Sequence, residues 1–375
     1  MEPILVVGGG LAGLAAALAL PGPVVLVDPR PRQAGDKDRR SAAVLRPGRA
    51  LLERLGVWNA LASPTPLDML RVLDLDTGRD AVFDSADLEG GGPFGWNVPN
   101  DAMRSALIDA LEARGNVELA FGTSLASLTP RSEECVAYLS DGRRLRPPLT
   151  VGADGRDSAV RQALGIDVRE WRAGQKALSF TVRHEAPHGN VSTEVYAGGG
   201  PLVLVPLTDP HESAVVWMER ASEAERIRAS GEEALGDAAT ERSGWVLGRL
   251  EVSRAPVVFP VVTRLADRMA GASAVLMAEA AHTVPPIGAQ GLNMSLADVA
   301  ALGEAVATGT GPAAYERARL WDVRARVAAV SALGAAAMGG PLAAPRAAAI
   351  GLLGQHPGLR GPLMRFGLGA GRSAA

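Results

Sequence analysis

The sequence predicts an α/β protein: a Rossmann-like dinucleotide-binding domain, an inserted and mainly antiparallel sheet, and C-terminal helices. Three stretches predict it: "PILVVGGGLAGLAAALAL", "LRPPLTVGADGRDSAVRQALGI" and "AVLMAEAAHTVPPIGAQGLNMSLAD". Each reads as a short apolar strand, a turn rich in glycine, and a helix.

In the first stretch a buried strand runs into Gly8, Gly10 and Gly13, spaced G-x-G-x-x-G, and then into an Ala/Leu helix. Gly8 permits the tight turn, Gly10 lets backbone approach a pyrophosphate, and Gly13 lets the helix pack close to the strand. Leu11 and Ala12 open that helix, whose first amides are free to face phosphates. The second strand, "PVVLVD", ends in Asp28, placed to accept from ribose hydroxyls. Strand, helix and terminal acid together point to a dinucleotide.

The uncharged run from residue 3 to 27 is expected to be neither signal peptide nor membrane span, because glycines and prolines divide it and no positive region precedes the apolar run. The uncharged stretch Val327 to Pro345 is mostly Ala and Gly, and reads as packed helix and turn.

The second stretch repeats the strand-to-helix logic, with Gly152, Asp154 and Gly155 in the turn and Ser158 as a helix start signal. In the third, a strand ends at Glu279. Prolines fix the following turn, and Gly288 and Gly291 clear side chains from the start of the next helix, leaving amides to face a flat or anionic group.

Composition excludes other classes. A chain of 375 residues at 47% hydrophobic can bury a large core, and a net charge of −3 disfavours nucleic acid as a partner. The single Cys135 allows no disulfide framework and fits a reducing cytoplasm. His184 and His188 have no third ligand nearby, so no metal is expected.

The three stretches, in this order, resemble the FAD-dependent aromatic hydroxylases, the single-component flavoprotein monooxygenases, and most closely their ubiquinone-biosynthesis branch. "DRRSAAVLRPGRALLERLGVW", "GWNVPNDAMRSALIDALE", "GGGPLVLVPL" and "VFPVVTRLADRM" extend the resemblance over nearly the whole chain. It implies that the first motif binds the ADP part of FAD, that Arg40 reaches the phosphates, and that Asn100 contacts the cofactor. The Asp-Gly motif at Asp154 would serve FAD and the passage of NAD(P)H, the electron donor. Ala278-Glu279 stands where the family carries Gly-Asp, and Glu279 still offers a carboxylate to the ribityl chain. The isoalloxazine ring would lie against "PPIGAQGLN". Pro286 would shape the oxygen pocket, and the amides of Leu292 and Asn293 would bond the ring carbonyl. His282 would lie behind the ring in a structural role.

The expected organisation is an FAD-binding domain in three pieces, 1–65, 99–166 and 261–310, a substrate sheet from 66–98 and 167–260, and a helical region from 311 to 375. The expected activity is hydroxylation of a polyprenylated phenol through a C4a-hydroperoxyflavin. A soluble aromatic or natural-product substrate, and a non-catalytic flavoprotein-like subunit of a biosynthetic complex, stay open as alternatives. The expected location is cytoplasmic. The tail around Arg360 and Arg365 is expected to pack on its own domain, with a peripheral membrane contact or a multi-enzyme complex as the alternative. No residue is assigned to activation of the phenol.

Overall fold

The computed structural model describes residues 2–368 apart from 36, 37, 39, 63, 89 and 339–342. Its first layer is a five-stranded sheet in the order Ala274–Leu276, Thr150–Gly152, Ile4–Val7, Val24–Asp28, Val117–Phe121, with every pair parallel. The strands Ile4–Val7 and Val24–Asp28 are buried along their whole length, as apolar strands covered on both faces must be. Helix Leu11–Ala19 lies against helices Asn100–Arg114 and Gln290–Ala307. Because the strands run parallel, their carboxyl ends share one edge, where ligands of such sheets bind. Met277, Ala153, Gly8 and Asp28 therefore follow one another along that edge.

A second sheet of eight strands has the order His282–Thr283, Leu250–Ala266, Val168–His184, Glu212–Arg220, Leu202–Pro206, Val191–Tyr196, Met69–Asp74, Arg79–Asp84. It is antiparallel except for the pairing of Val191–Tyr196 with Met69–Asp74. Two of its strands are 17 residues long, and Leu250–Ala266 runs across position 261 to end beside the third motif, where the amide of Ala266 donates to Ala281 O at 2.8 Å.

The two faces of this sheet differ. On one, Leu178, Phe180, Val182, Leu202, Leu204, Val215 and Trp217 are buried beneath helices Ala221–Ala229 and Glu232–Ser243, which contribute Ile227, Leu235 and Ala239. On the other, Ser179, Val203, Val205 and Val216 stay half-buried although they sit in interior strands. Helix Gly311–Ala337 and helices Ala343–Gln355 and Arg360–Leu368 close over parts of that second face.

The Asp-Gly stretch folds as its local signals predict. Ser158 caps the short helix Ala159–Ala163, its Oγ accepting from Arg161 N at 3.0 Å. Cys135 is buried beside Ser273, and among the described residues no group of metal-ligating side chains is present. His184 and His188 hold backbone carbonyls instead: His184 Nδ1 bonds Ala186 O at 2.7 Å and His188 Nε2 bonds Leu207 O at 3.0 Å.

Candidate cofactor site

Gly8 has φ +110°, and a Cβ there would lie 2.2 Å from Ala153 O, so turn and neighbouring strand both demand glycine. A Cβ on Gly13 would lie 1.9 Å from Gly8 O, which places the helix against the turn. Gly10 is different, because a Cβ on it would meet nothing within 4 Å. The protein's own packing does not require that glycine. It opens a space at the start of helix Leu11–Ala19, where no side chain caps the first amides.

Asp28 closes the same corner. Its Oδ2 accepts from Gly9 N at 2.6 Å and from Arg30 Nη2 at 3.0 Å, and its Oδ1 from Arg30 N at 2.8 Å and Nε at 3.1 Å. Burial alone would push this carboxyl up, but the Arg30 and Gly9 bonds hold it below the usual range. A ribose diol at the strand end would take over acceptors that Arg30, with 60% of its side chain exposed, now uses.

Arg40 and Asn100 meet on a third residue. Asp38 accepts from Arg40 Nε and Nη2, both at 2.8 Å, and from Asn100 Nδ2 at 3.1 Å. Asn100 also donates its amide to Arg40 O at 2.9 Å. Its Oδ1 is buried with no partner among the described residues, an acceptor that calls for a donor. The Asp38 bonds, with a smaller contribution from Glu279, keep the Arg40 guanidinium above its ordinary pKa. Glu279 is thus close enough to act on Arg40, although its nearest ion pair is to Arg156 Nε at 3.5 Å and 58% of its side chain is exposed.

Asp154 is bonded to the helix that follows it. Its Oδ1 accepts from Ser158 Oγ at 2.5 Å and its Oδ2 from Val160 N at 3.2 Å, so both oxygens tie down the following helix. What this motif presents to Gly8 is backbone, since Asp154 N is 2.9 Å from where a Gly8 Cβ would stand.

The third motif is held from behind by a buried charge cluster. Asp298 Oδ2 accepts from Ala278 N at 3.0 Å and bonds His282 Nε2 at 2.7 Å, while Oδ1 accepts from Arg319 Nε at 2.8 Å. Burial would raise this carboxyl, and His282 and Arg319 hold it below its usual range. His282, 2% exposed, is therefore a structural histidine. Ala278 has φ +53°, left-handed backbone normally left to glycine. The turn continues through Pro285, Pro286 and Gly288, at φ +61°, to Ala289 at φ +55°, after which helix Gln290–Ala307 starts with no side-chain cap. Gly291 opens onto free space, since a Cβ on it would meet nothing within 4 Å. Asn293 fixes the neighbouring strand Ser41–Leu45, its Oδ1 accepting from Leu45 N at 2.9 Å and its Nδ2 donating to Ala43 O at 2.8 Å. From the tail, Gly367 O accepts from Gln290 Nε2 at 3.3 Å.

A family model described as an FAD binding domain matches residues 1–325. The chain belongs to this FAD-binding family. Similar relatives are the ubiquinone hydroxylase UbiL of Rhodospirillum rubrum, 33% identical with 80% of this chain and 71% of the relative covered, and the 3-demethoxyubiquinol 3-hydroxylase of Escherichia coli, 31% identical with 80% and 78% covered. Among solved structures, the p-nitrophenol 4-monooxygenase of Pseudomonas putida has the same fold, with a TM-score of 0.81 at 18% identity over 99% of both chains. CabE, an aromatic hydroxylase from angucycline biosynthesis, has a TM-score of 0.75 at 23% identity, covering 98% of this chain and 76% of that one.

The expected aromatic hydroxylase fold is the observed one, and the protein is an FAD-dependent hydroxylase. The residues present suit FAD. Gly10 and Gly291 leave room at two uncapped helix starts, and Asn100 Oδ1 lacks a partner among the described residues. Sequence reasoning missed Asp38, which organises Arg40 and Asn100, and Arg104, whose Nη1 donates to Gly9 O at 2.8 Å across 95 positions. Asp38 stands within the stretch that carries the family resemblance. Arg104 stands within another such stretch, but in an ordinary helical pattern that does not set it apart.

Proposed function

We propose that the chain is an FAD-dependent monooxygenase that hydroxylates the ring of a polyprenylated phenol in ubiquinone biosynthesis, taking electrons from NAD(P)H and oxygen from O2. One observation carries the aromatic site. Ile287, in the turn that would back the flavin ring, packs with Ala177, Met218 and Val261 of the eight-stranded sheet, so the turn faces that sheet's half-buried side. A flat substrate fits between an apolar sheet face and a ring-backing turn. The two relatives above 30% identity, one a ubiquinone hydroxylase and one a 3-demethoxyubiquinol 3-hydroxylase, support the phenol class.

The bound flavin would supply the reductive activation of oxygen, which no side chain can perform. Gly8, Gly10, Leu11, Ala12 and Gly13 would hold its pyrophosphate at the helix start, Asp28 its ribose, Arg40 the adjoining phosphates, and Asn100, through its acceptor Oδ1, a hydroxyl of the cofactor. Glu279 would meet the ribityl hydroxyls, with Asp154 shaping the loop beside Gly8. Pro286, Gly288 and Gly291 would leave the ring its space, and the amides of Leu292 and Asn293 at the helix start would stabilise negative charge on it. The surrounding apolar faces would keep water from the reacting atoms.

Among the described residues no helix is long and apolar enough to cross a membrane. Helix Ala343–Gln355 packs on strand Arg79–Asp84, and Leu352, Leu359 and Leu363 remain exposed on the outer side of the tail. A peripheral membrane contact or a partner enzyme at that surface would suit a prenylated substrate.

The deciding experiment is an absorbance spectrum of the purified protein, followed by NADPH under air with and without a prenylated phenol. Flavin bands that bleach and recover, with oxygen uptake and a hydroxylated product, support the proposal. A yellow protein that hydroxylates only soluble aromatics redirects the substrate assignment. Absence of NADPH-dependent oxygen use makes it a non-catalytic subunit.

A further inference from the structure

Glu194 is a buried carboxylate that the cofactor site does not use. It lies on strand Val191–Tyr196, directly opposite Val203, which in turn lies opposite Val216, itself opposite Ser179. Opposed residues share a face, so Glu194 projects from the half-buried side of the sheet, the side against which Ile287 of the ring-backing turn packs. Two apolar clusters border that space: Ala177, Met218, Val261 and Ile287 on one side, Tyr196, Leu45 and Phe83 on the other.

Two other carboxylates on this face are ion-paired. Asp74 is paired with Arg346 at 2.9 Å, and Glu212 at the outer end with Arg183 at 3.0 Å. Among the described residues no cation pairs with Glu194. Its one bond among them is from the Tyr196 hydroxyl, which donates to Oε1 and leaves Oε2 without a donor. Arg346, of helix Ala343–Gln355, lies 5.1 Å from the centre of the Tyr196 ring but is spent on Asp74 and Asp76, and Arg79 donates to Ala347 O. A carboxylate buried without a cation is costly to keep and calls for a compensating use.

Resting on the hydroxylase reading, we infer that Glu194 is the base that accepts the proton of the substrate's phenolic hydroxyl, with Tyr196 holding its other oxygen in place. The phenol O–H bond breaks, its proton goes to Glu194 Oε2, and the electron pair stays on the phenolate oxygen and enriches the ring carbon that takes up oxygen. One atom of O2 enters the ring and the other leaves as water, with two electrons from NAD(P)H. The hydroxylated carbon releases its proton to restore aromaticity, and Glu194 returns its own to the product oxygen. Burial pushes the Glu194 carboxyl up, which brings its basicity closer to that of a phenol. Tyr196 stays a donor because burial beside Glu194 raises it well above the ordinary tyrosine range.

The test uses the flavin-loaded enzyme and the isosteric Glu194→Gln, with Glu194→Asp and Tyr196→Phe as companions, each first checked for an unchanged melting temperature. Substrate-stimulated NADPH oxidation should persist in Glu194→Gln, while the rate of hydroxylated product falls by about 10²-fold or more. Wild-type product formation should be lost as pH falls through the Glu194 ionisation, and that limb should vanish in Glu194→Gln and return in part in Glu194→Asp. A second readout needs no turnover. Bound 4-nitrophenol should show its ionised band below neutral pH in the wild type and its neutral band in Glu194→Gln. Equal ionised fractions in the two proteins, or an unchanged product rate and pH profile, would overturn the inference. A wild type that ionises the bound probe but hydroxylates no phenol would instead sink the hydroxylase reading alone.

Discussion

The amide of Ala278 donates to Oδ2 of Asp298 at 3.0 Å, so a residue in left-handed backbone is held by a carboxylate twenty positions further along the chain. Left-handed backbone is thus kept at an alanine, at a cost in stability. Left-handed backbone costs a residue with a Cβ on the order of 1 kcal/mol. Ala278→Gly should stabilise the protein by about that amount in denaturant unfolding, without weakening FAD. A lower midpoint in that variant would mean the loop relaxes in solution.

Asp298 itself should be far less tolerant. Asp298→Asn leaves Arg319 with the half-exposed Asp322, at 2.6 Å, in place of its fully buried counter-charge, and should cost about 3 kcal/mol, the low end for a broken buried pair. The sign of the acid dependence follows from its lowered pKa. Its contribution is fully present above the unfolded value, about pH 4, and is lost as pH falls through the lower folded value. Chemical unfolding between neutral pH and pH 3 should thus show a flatter acid limb in Asp298→Asn than in the wild type.

The two inner glycines of the first motif separate folding from binding. Gly10→Val places its side chain in open space, so the apoprotein should melt normally while FAD binding is abolished. Gly13→Ala drives a methyl onto Gly8 O and should destabilise the apoprotein. A flavin-replete Gly10→Val protein, seen by absorbance, would remove the pyrophosphate assignment.

These contrasts also mark what could be read without a structure. Gly13 and the Ser158 cap are local devices, in which the residues that need each other stand within a few positions, and the turn at Gly8 is local although its contact with Ala153 is not. Asp154 is less legible: an acid in a strand-to-helix turn suits a ligand or a helix start equally well, and here its oxygens accept from Ser158 and Val160. Asp38, Arg104 and the pairing of Asp298 with Arg319 depend on chain segments brought together only by folding. Glu194 was hidden differently, because on a strand that alternates between two faces nothing local says which face meets the cofactor.

Glu279 offers the remaining test of the third motif. Its exposed pair with Arg156 is worth only about 0–1 kcal/mol, so Glu279→Ala should melt as the wild type does. Loss of a carboxylate bond to the ribityl chain should raise the Kd for FAD roughly tenfold, about 1.4 kcal/mol. Glu279→Asp should keep or tighten flavin, and its total loss in a flavin titration would show that the loop has adapted to the longer side chain.

The unequal faces of the eight-stranded sheet bear on how such a protein diversifies. Since helices Ala221–Ala229 and Glu232–Ser243 seal one face into a core of its own, residues such as Ser179 and Val203 on the other, which join neither apolar cluster there, carry little of the burden of folding. Descendants of this chain can exchange them one at a time and meet a new aromatic molecule on an unchanged frame, inheriting the cofactor chemistry while the lining drifts.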